Sequence, residues 1–127
     1  MSRLVRSALA IAVGDAIFGL TAILLFHLAG RDPHAPAPIE FMAASVAVGV
    51  IAAAIGGWVT AAIASHHRRE HALVLGILIG LGALISLLLR PGEGAIWTQI
   101  AAVVFMAPAA LFGSWPWWSR GASSRRK

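Results

Sequence analysis

The sequence has no cysteine among its 127 residues, and it has few charged side chains. Without cysteine there can be no disulfide, no zinc thiolate and no cysteine nucleophile. Only 12% of the residues are charged, whereas a soluble domain of this size carries about a quarter. The sequence also lacks a nucleotide-binding loop, a catalytic constellation and a full set of metal ligands. We therefore expect neither a soluble domain nor an enzyme, and no resident cofactor or metal.

What the chain has in abundance is apolar sequence, since 59% of its residues are hydrophobic. Four apolar segments cover about residues 7–29, 41–65, 72–89 and 95–112, and a basic aromatic tail follows over 113–127. Runs of roughly 20 apolar residues match a hydrocarbon core of about 30 Å. The sequence therefore predicts an all-α polytopic membrane protein, in which residues 1–127 form one bundle of four transmembrane helices. We expect the first segment to be retained, because it is too long for a signal peptide.

Lysine and arginine are distributed unevenly between the two ends of the predicted bundle. One end carries eight of them, namely Arg3, Arg6, Arg68, Arg69, Arg120, Arg125, Arg126 and Lys127. The other end carries only Arg31 and Arg90. By the positive-inside rule, this bias predicts that both termini lie in the cytoplasm. Because the charges flank apolar segments, the net charge of +5 indicates contact with anionic lipid headgroups and not with nucleic acid.

Small residues recur every four positions along the second segment, which predicts where helices approach closely. The first stripe consists of Ser45, Gly49, Ala53, Gly57 and Ala61, and the stripe beside it consists of Ala52, Gly56, Thr60 and Ala64. The third segment adds Gly76 and Gly80 in G-x-x-x-G spacing. Helices in lipid associate through close backbone packing, because hydrophobicity gives them little reason to associate. We therefore expect the second helix to be the packing centre of the bundle.

Asp15 is an ionisable residue inside the first apolar segment, about two turns from its start. A carboxylate within a bilayer costs about 2.5–3.5 kcal/mol, so we expect it to take up a proton or to meet a partner. Thr60, Arg68 and Arg69 are in reach by depth. One interpretation is a proton-coupled or cation-binding site. The alternative, which we prefer, is a polar group that is hydrogen-bonded across helices or covered by a partner subunit.

Histidines at the two ends of the bundle suggest two further sites. His27 is at the depth of Gln99, Thr98 and Ser86, which predicts a polar layer between helices. The sequence leaves open whether His27 contacts a pigment or haem, and no second residue supports such a contact. His67 and His71 have a spacing at which two imidazoles can share a metal, but no third and fourth ligands follow. We interpret this loop as a headgroup contact and predict no metal.

Aromatic residues mark both predicted interfaces. Trp97 lies near one end of the fourth segment, and Trp115, Trp117, Trp118 and Arg120 follow its other end. Trp and Arg favour the headgroup region, so we predict that these residues anchor the protein at the interface. The alternative is that the tail docks a neighbouring protein. Within the fourth segment, Pro108 is expected to kink the helix, because proline removes one backbone hydrogen bond.

Two resemblances follow from these residues. Residues 56–64, Gly-Gly-Trp-Val-Thr-Ala-Ala-Ile-Ala, and residues 71–76, His-Ala-Leu-Val-Leu-Gly, resemble a pattern in small four-helix bacterial membrane proteins of unassigned function. That resemblance implies a bacterial inner membrane. The chain is also similar to the small multidrug resistance transporters in length, in helix number and in one acid within the first helix, here Asp15. That similarity implies exchange of protons for cationic drugs, although the family's acid is normally a glutamate.

We expect a non-enzymatic accessory or structural subunit that packs against other protein subunits in a larger membrane complex. The reason is a well-specified helical scaffold with an almost wholly apolar interior. The alternative function is a small proton-coupled transporter of the small multidrug resistance type, working as a homodimer through Asp15. A transporter needs several polar groups at mid-depth, and the sequence offers only Asp15, Thr21, Thr60 and Gln99.

Overall fold

The computed structural model of the chain describes residues 1–89 and 96–124, and within them every regular element is helical. The helices are α1 (Arg3–Ala29), α2 (Ile39–Ala64), α3 (Arg68–Leu89), α4 (Trp97–Ala101), α5 (Ala107–Gly113) and α6 (Trp115–Ser124). A π-helical turn, Ala102–Met106, joins α4 to α5. Four helical stretches are long and apolar enough to cross a membrane, and the fourth is Trp97–Arg120. Among the described residues, this confirms the predicted all-helical fold with four helices long and apolar enough to cross a membrane. The predicted turn at 90–94 and the last three residues lie outside the described parts.

The first helix begins and ends at recognisable caps. The hydroxyl oxygen of Ser2 accepts a hydrogen bond from the amide of Val5, so α1 starts at Arg3, before the apolar segment itself. At the other end Gly30 adopts a left-handed conformation, with φ of 61°. Its amide donates to the carbonyl of His27, and the amide of Arg31 donates to the carbonyl of Phe26. This pair of bonds is the Schellman motif, which needs a residue that tolerates positive φ.

The interior of the bundle consists of small residues, and the large apolar side chains face outward. The largest fully buried side chains are Leu75, Thr60 and Ser114. Most other buried apolar residues are alanines, whereas leucines and isoleucines on all three long helices are exposed. In water such a surface would drive aggregation, but in lipid it is the expected arrangement because the tails are as apolar as leucine.

The α2 backbone approaches α5 too closely for a side chain to intervene. A Cβ added at Gly57 would overlap the carbonyl of Ala110, and one added at Gly113 would overlap the carbonyl of Ala54. Glycine on each helix therefore accommodates the backbone of the other. Ala53, on the same stripe as Gly57, belongs to the buried core with Ala110. The first stripe of small residues thus faces the fourth span.

The second stripe of α2 faces α1. A Cβ added at Gly56 would lie 2.7 Å from the carbonyl oxygen of Gly14, and one added at Gly14 would lie 2.8 Å from that of Gly56. Beside this contact, the hydroxyl of Thr60 donates to the carbonyl of Ala10 over 3.1 Å. Gly14 and Ala10 are the only buried residues of α1, so α2 holds this helix mainly through these contacts.

The seven residues predicted to pack helices all lie on α2 and α3. Five are buried and two are half-buried (Ser45, Ala53, Gly57, Ala61 and Gly76; Gly49 and Gly80). A Cβ at Gly49 would collide with Met106 of the π-helical turn. A Cβ at Gly76 would come within 2.7 Å of the carbonyl oxygen of Ala107, whereas one at Gly80 would make an ordinary contact of 3.8 Å. Glycine is thus a strict requirement at Gly76 and not at Gly80.

The fourth span is irregular in its middle. The amide of Ala107 donates to the carbonyl of Ala102, five residues earlier, immediately before Pro108. Proline has no amide hydrogen and its ring crowds the carbonyl four residues back, so a wider turn relieves the crowding. The irregularity predicted at Pro108 takes this form. After Gly113 the helix breaks at Ser114, whose hydroxyl donates to the carbonyl of Leu111 over 2.7 Å, and α6 begins at Trp115.

The contacts fix which segments share an end of the bundle. The guanidinium Nε of Arg6 donates to the carbonyl of Ile63 over 2.6 Å, so the N-terminus lies beside the 65–67 loop. The guanidinium of Arg68 stacks on Trp117 of α6. We call this the arginine-rich end, made of residues 1–6, the 65–67 loop, the start of α3 and α6. The 30–38 loop and the start of α4 lie at the opposite end.

Glycine substitutions test this packing. Gly57→Ala and Gly113→Ala should each destabilise the protein by about 1–3 kcal/mol, because the new methyl group overlaps backbone that cannot move alone. Gly19→Ala and Gly82→Ala are matched controls, since nothing lies within 4 Å of a Cβ there. These controls should be neutral or slightly stabilising, because alanine is the better helix former. Thermal unfolding in detergent measures all four variants. Equal losses at Gly57 and Gly19 would contradict the close packing of α2 on α5.

Candidate functional site

A cavity of about 770 Å³ opens between α1, α3 and the fourth span. Its walls are mostly apolar and aromatic, with Phe18, Phe26, Leu78, Ile79 and Trp97 among them. The polar residues that line it are Asp15, His27, Arg31, His34, Ser45, Ser86, Thr98 and Gln99. We call it the Asp15 cavity, because Asp15 is the acidic residue in its lining.

Asp15 is exposed in this cavity although it lies near the middle of a membrane span. It is the thirteenth of the 27 residues of Arg3–Ala29, so more than 15 Å of helix extends on either side at about 1.5 Å per residue. Neighbouring residues of a helix point about 100° apart, so Gly14 faces α2 and Asp15 turns away from it. No hydrogen bond or ion pair joins Asp15 to any described residue.

The partners expected for Asp15 are engaged elsewhere. Thr60 donates its hydroxyl to the carbonyl of Ala10, because the contact between Gly14 and Gly56 brings that part of α1 against it. Arg68 and Arg69 stack on the indoles of Trp117 and Trp118. None of these three residues, all in reach of Asp15 by depth, is therefore bonded to it. Within the described residues its carboxylate faces the open cavity.

A polar layer does form at the end of the cavity opposite the arginine-rich end, but His34 takes the place expected for His27. The side-chain amide nitrogen (Nε2) of Gln99 lies 2.9 Å from Nδ1 of His34. The hydroxyl of Thr98 lies 2.9 Å from the side-chain oxygen of Gln99. The hydroxyl of Thr98 is also 3.0 Å from the carbonyl of Pro33. Because α1 ends at Ala29, the chain turns back and lays residues 33–35 on α4. His27 stays exposed in the lining of the cavity.

The residues predicted to anchor the protein at the membrane interface lie at both ends of the bundle. Trp97 is half-buried, stacks against Phe26 at 6.2 Å and donates its indole N–H to the carbonyl of Ala35 over 3.3 Å. At the arginine-rich end Trp115 is 56% exposed, whereas Trp117 and Trp118 are half-buried. Arg120 lies over the ring of Trp117 at 5.5 Å. The tail is thus a helix that packs against the start of α3, and Trp115 is left exposed.

Three histidine rings pack together at this end: the ring centre of His66 lies 5.6 Å from that of His67 and 6.1 Å from that of His71. His67 precedes α3 with φ of 48°, and Nδ1 of His71 lies 2.7 Å from the carbonyl of His67. Nδ1 of His66 lies 3.2 Å from the hydroxyl of Ser65. In the described residues, no three His, Asp or Glu side chains are grouped closely enough to hold a metal ion.

Two features of the site have no signal in the sequence. His34 lies in a proline-rich loop, and only the turn at Gly30 brings it onto Gln99. The pairing of Arg68 and Arg69 with Trp117 and Trp118 joins residues about 50 positions apart. The headgroup preference of both residue types places them at one depth, but it does not pair them.

The fold and these surfaces define a multi-pass helical membrane protein. No protein-family model, no curated protein and no solved structure matches the chain.

Proposed function

We propose that the protein is a non-enzymatic accessory or structural subunit that packs against other proteins in a larger membrane complex. The observation that carries this proposal is the exposure of Asp15 near the middle of α1, with no partner in the described residues. A carboxylate facing lipid costs about 2.5–3.5 kcal/mol. A transmembrane helix from another subunit, carrying a hydrogen-bond donor or a cation at this depth, would remove most of that cost.

Small residues beside Asp15 support a helix as the occupant. Gly19 of α1 and Gly82 of α3 both line the Asp15 cavity, and nothing lies within 4 Å of a Cβ at either position. Glycine inside a helix is about 1 kcal/mol less favourable than alanine, so glycine without a close neighbour brings no benefit within this chain. Close approach of an external helix explains both positions.

The natural absence of cysteine permits a clean crosslinking test. We expect a benzophenone attached to Gly19→Cys or Gly82→Cys to crosslink one other membrane protein at a fixed stoichiometry in native membranes. Ile51→Cys and Ile55→Cys, which are exposed on α2, are the controls and should give little product. Adding Asp15→Leu should lower the yield at least about threefold, because interhelical polar contacts in lipid contribute about 0.6–1.7 kcal/mol. Equal crosslinking at cavity and control positions would refute the proposal.

We also propose a bacterial inner membrane with both termini in the cytoplasm. Five arginines of the described residues lie at the arginine-rich end (Arg3, Arg6, Arg68, Arg69 and Arg120), and Arg31 lies at the opposite end. This distribution supports the orientation given by the positive-inside rule.

Thiol labelling checks the orientation. In intact spheroplasts, a membrane-impermeant maleimide should label Ala37→Cys in the 30–38 loop at once. It should label Ser2→Cys only after the membrane is permeabilised, because that residue lies at the cytoplasmic end. The opposite order would place the arginine-rich end outside.

A second candidate function is proton-coupled transport of a lipophilic cation by a homodimer. The Asp15 cavity favours it, because ligand pockets commonly measure about 300–1,000 Å³ and combine apolar walls with few polar groups. Phe18, Phe26 and Trp97 offer aromatic faces to such a cation, and Asp15 offers the negative charge.

Uptake into liposomes tests this candidate. Under an imposed proton gradient, the wild type should accumulate a lipophilic aromatic cation, Asp15→Asn should abolish uptake and Asp15→Glu should retain part of it. Glu40→Gln, which removes an exposed acid outside the cavity, is the matched control and should transport normally. Absence of uptake by the wild type, or full uptake by Asp15→Asn, would exclude transport through Asp15.

A further inference from the structure

A second cavity, of about 710 Å³, lies at the arginine-rich end between the start of α3 and α6. Besides the loop residues 65–67, it is lined by Arg68, Arg69, Glu70, Trp117, Trp118 and Arg120. The lining thus contains three arginines and one carboxylate. We call it the arginine cavity. It is separate from the Asp15 cavity and shares no lining residue with it.

Two buried hydrogen-bond donors in the arginine cavity have no acceptor. The indole N–H groups of Trp117 and Trp118 are both buried and unpaired. A buried donor without a partner costs about 1–3 kcal/mol, and native structures almost always satisfy such groups. Neither nitrogen is accessible to solvent, so an acceptor in the cavity reaches it only when a neighbouring side chain shifts.

The arginines beside these indoles are held by their aromatic faces. The guanidinium of Arg68 lies 4.2 Å from the ring centre of Trp117, and that of Arg69 lies 5.1 Å from the ring centre of Trp118. Stacking restrains each guanidinium without using the N–H groups in its plane. Neither Arg68 nor Arg69 donates a hydrogen bond to a described residue. Each therefore has five N–H groups to offer to an anion.

The remaining charges around the cavity also favour an anion. The 22-residue helix α3 begins at Arg68, so the positive end of its dipole points toward the same place. The carboxylate of Glu70 opposes this field, but its side chain is 64% exposed and lies 3.9 Å from Nδ1 of His67. Solvent weakens its repulsion of an anion.

We propose that the arginine cavity binds a phosphate group. A phosphate presents oxygens in several directions and can accept from α3 and α6 at once, and paired guanidiniums match its geometry. Two sources share this chemistry, an acidic phospholipid headgroup and a soluble phosphate. The cavity lies where the helices leave the apolar region, at the level of lipid phosphates, so the lipid is the expected source.

Binding measurements on the full-length protein in neutral detergent test the site. Native mass spectrometry should show one phosphatidylglycerol bound more tightly than phosphatidylcholine of the same chain length. Arg68→Gln and Arg69→Gln should each weaken this binding by about tenfold or more, since hydrogen bonds to charged groups are strong. Arg3→Gln removes the same charge from the same end outside the cavity and should change binding less than twofold. In a second measurement, calorimetry determines how tightly inorganic phosphate binds to the wild type and to the same variants.

The indole donors provide an independent readout. Trp117→Phe and Trp118→Phe keep an aromatic ring for the arginines but remove the N–H, so each should weaken binding several-fold. Trp115→Phe is the matched control, because Trp115 is exposed and does not line the cavity. Lipid binding that depends on Arg68 and Arg69 identifies the membrane as the source, and phosphate binding alone with this dependence identifies a soluble source. If neither ligand binds, or if the cavity variants match Arg3→Gln and Trp115→Phe, the site does not exist. Crosslinking at Gly19 and Gly82 is unaffected by either outcome.

Discussion

The structure depends on the close approach of α2 to its neighbours on two sides. Gly57 and Gly113 bring the α2 and α5 backbones together, and Gly14 and Gly56 do the same for α1. In lipid this proximity is the main source of helix association, because dispersion contacts grow as axes approach and lipid is displaced. A methyl group at any of these glycines would push two helices apart, which explains why the core contains alanine where soluble proteins have leucine.

One consequence is that α1 packs mainly on α2 and less on α3. Its buried residues, Ala10 and Gly14, both lie in the half of the helix that is nearer the arginine-rich end. Further along, α1 and α3 diverge around the Asp15 cavity, and the 30–38 loop closes the far end through Gln99 and Trp97. A firmly packed end and an open end thus coexist in one small bundle. The arginine cavity lies at the packed end, and Asp15 lies near the middle of α1, where the Asp15 cavity begins.

The sequence predicted the four spans because bilayer thickness sets the length of an apolar run. It also predicted the small-residue faces of α2, since a spacing of four residues places Gly49, Ala53 and Gly57 on one side of any helix. It did not predict which groups Asp15 and His27 would face. Depth along a helix can be counted, but rotation about its axis follows from the glycine contacts, and the position of His34 follows from the turn at Gly30. The stacking of Arg68 on Trp117 likewise depends on the break at Ser114 that starts α6.

The π-helical turn before Pro108 rotates one half of the fourth span about the helix axis relative to the other half. One added residue in a turn rotates everything before it by about 100° relative to a regular helix. Ala109 and Ala110 can therefore lie against α2 while Gln99, eleven positions earlier than Ala110, is aimed independently at the 30–38 loop. In an unbroken helix Gln99 and Ala110 would share a face, because they are eleven residues apart. Substitutions in α4 can thus accumulate without disturbing how α5 packs against α2.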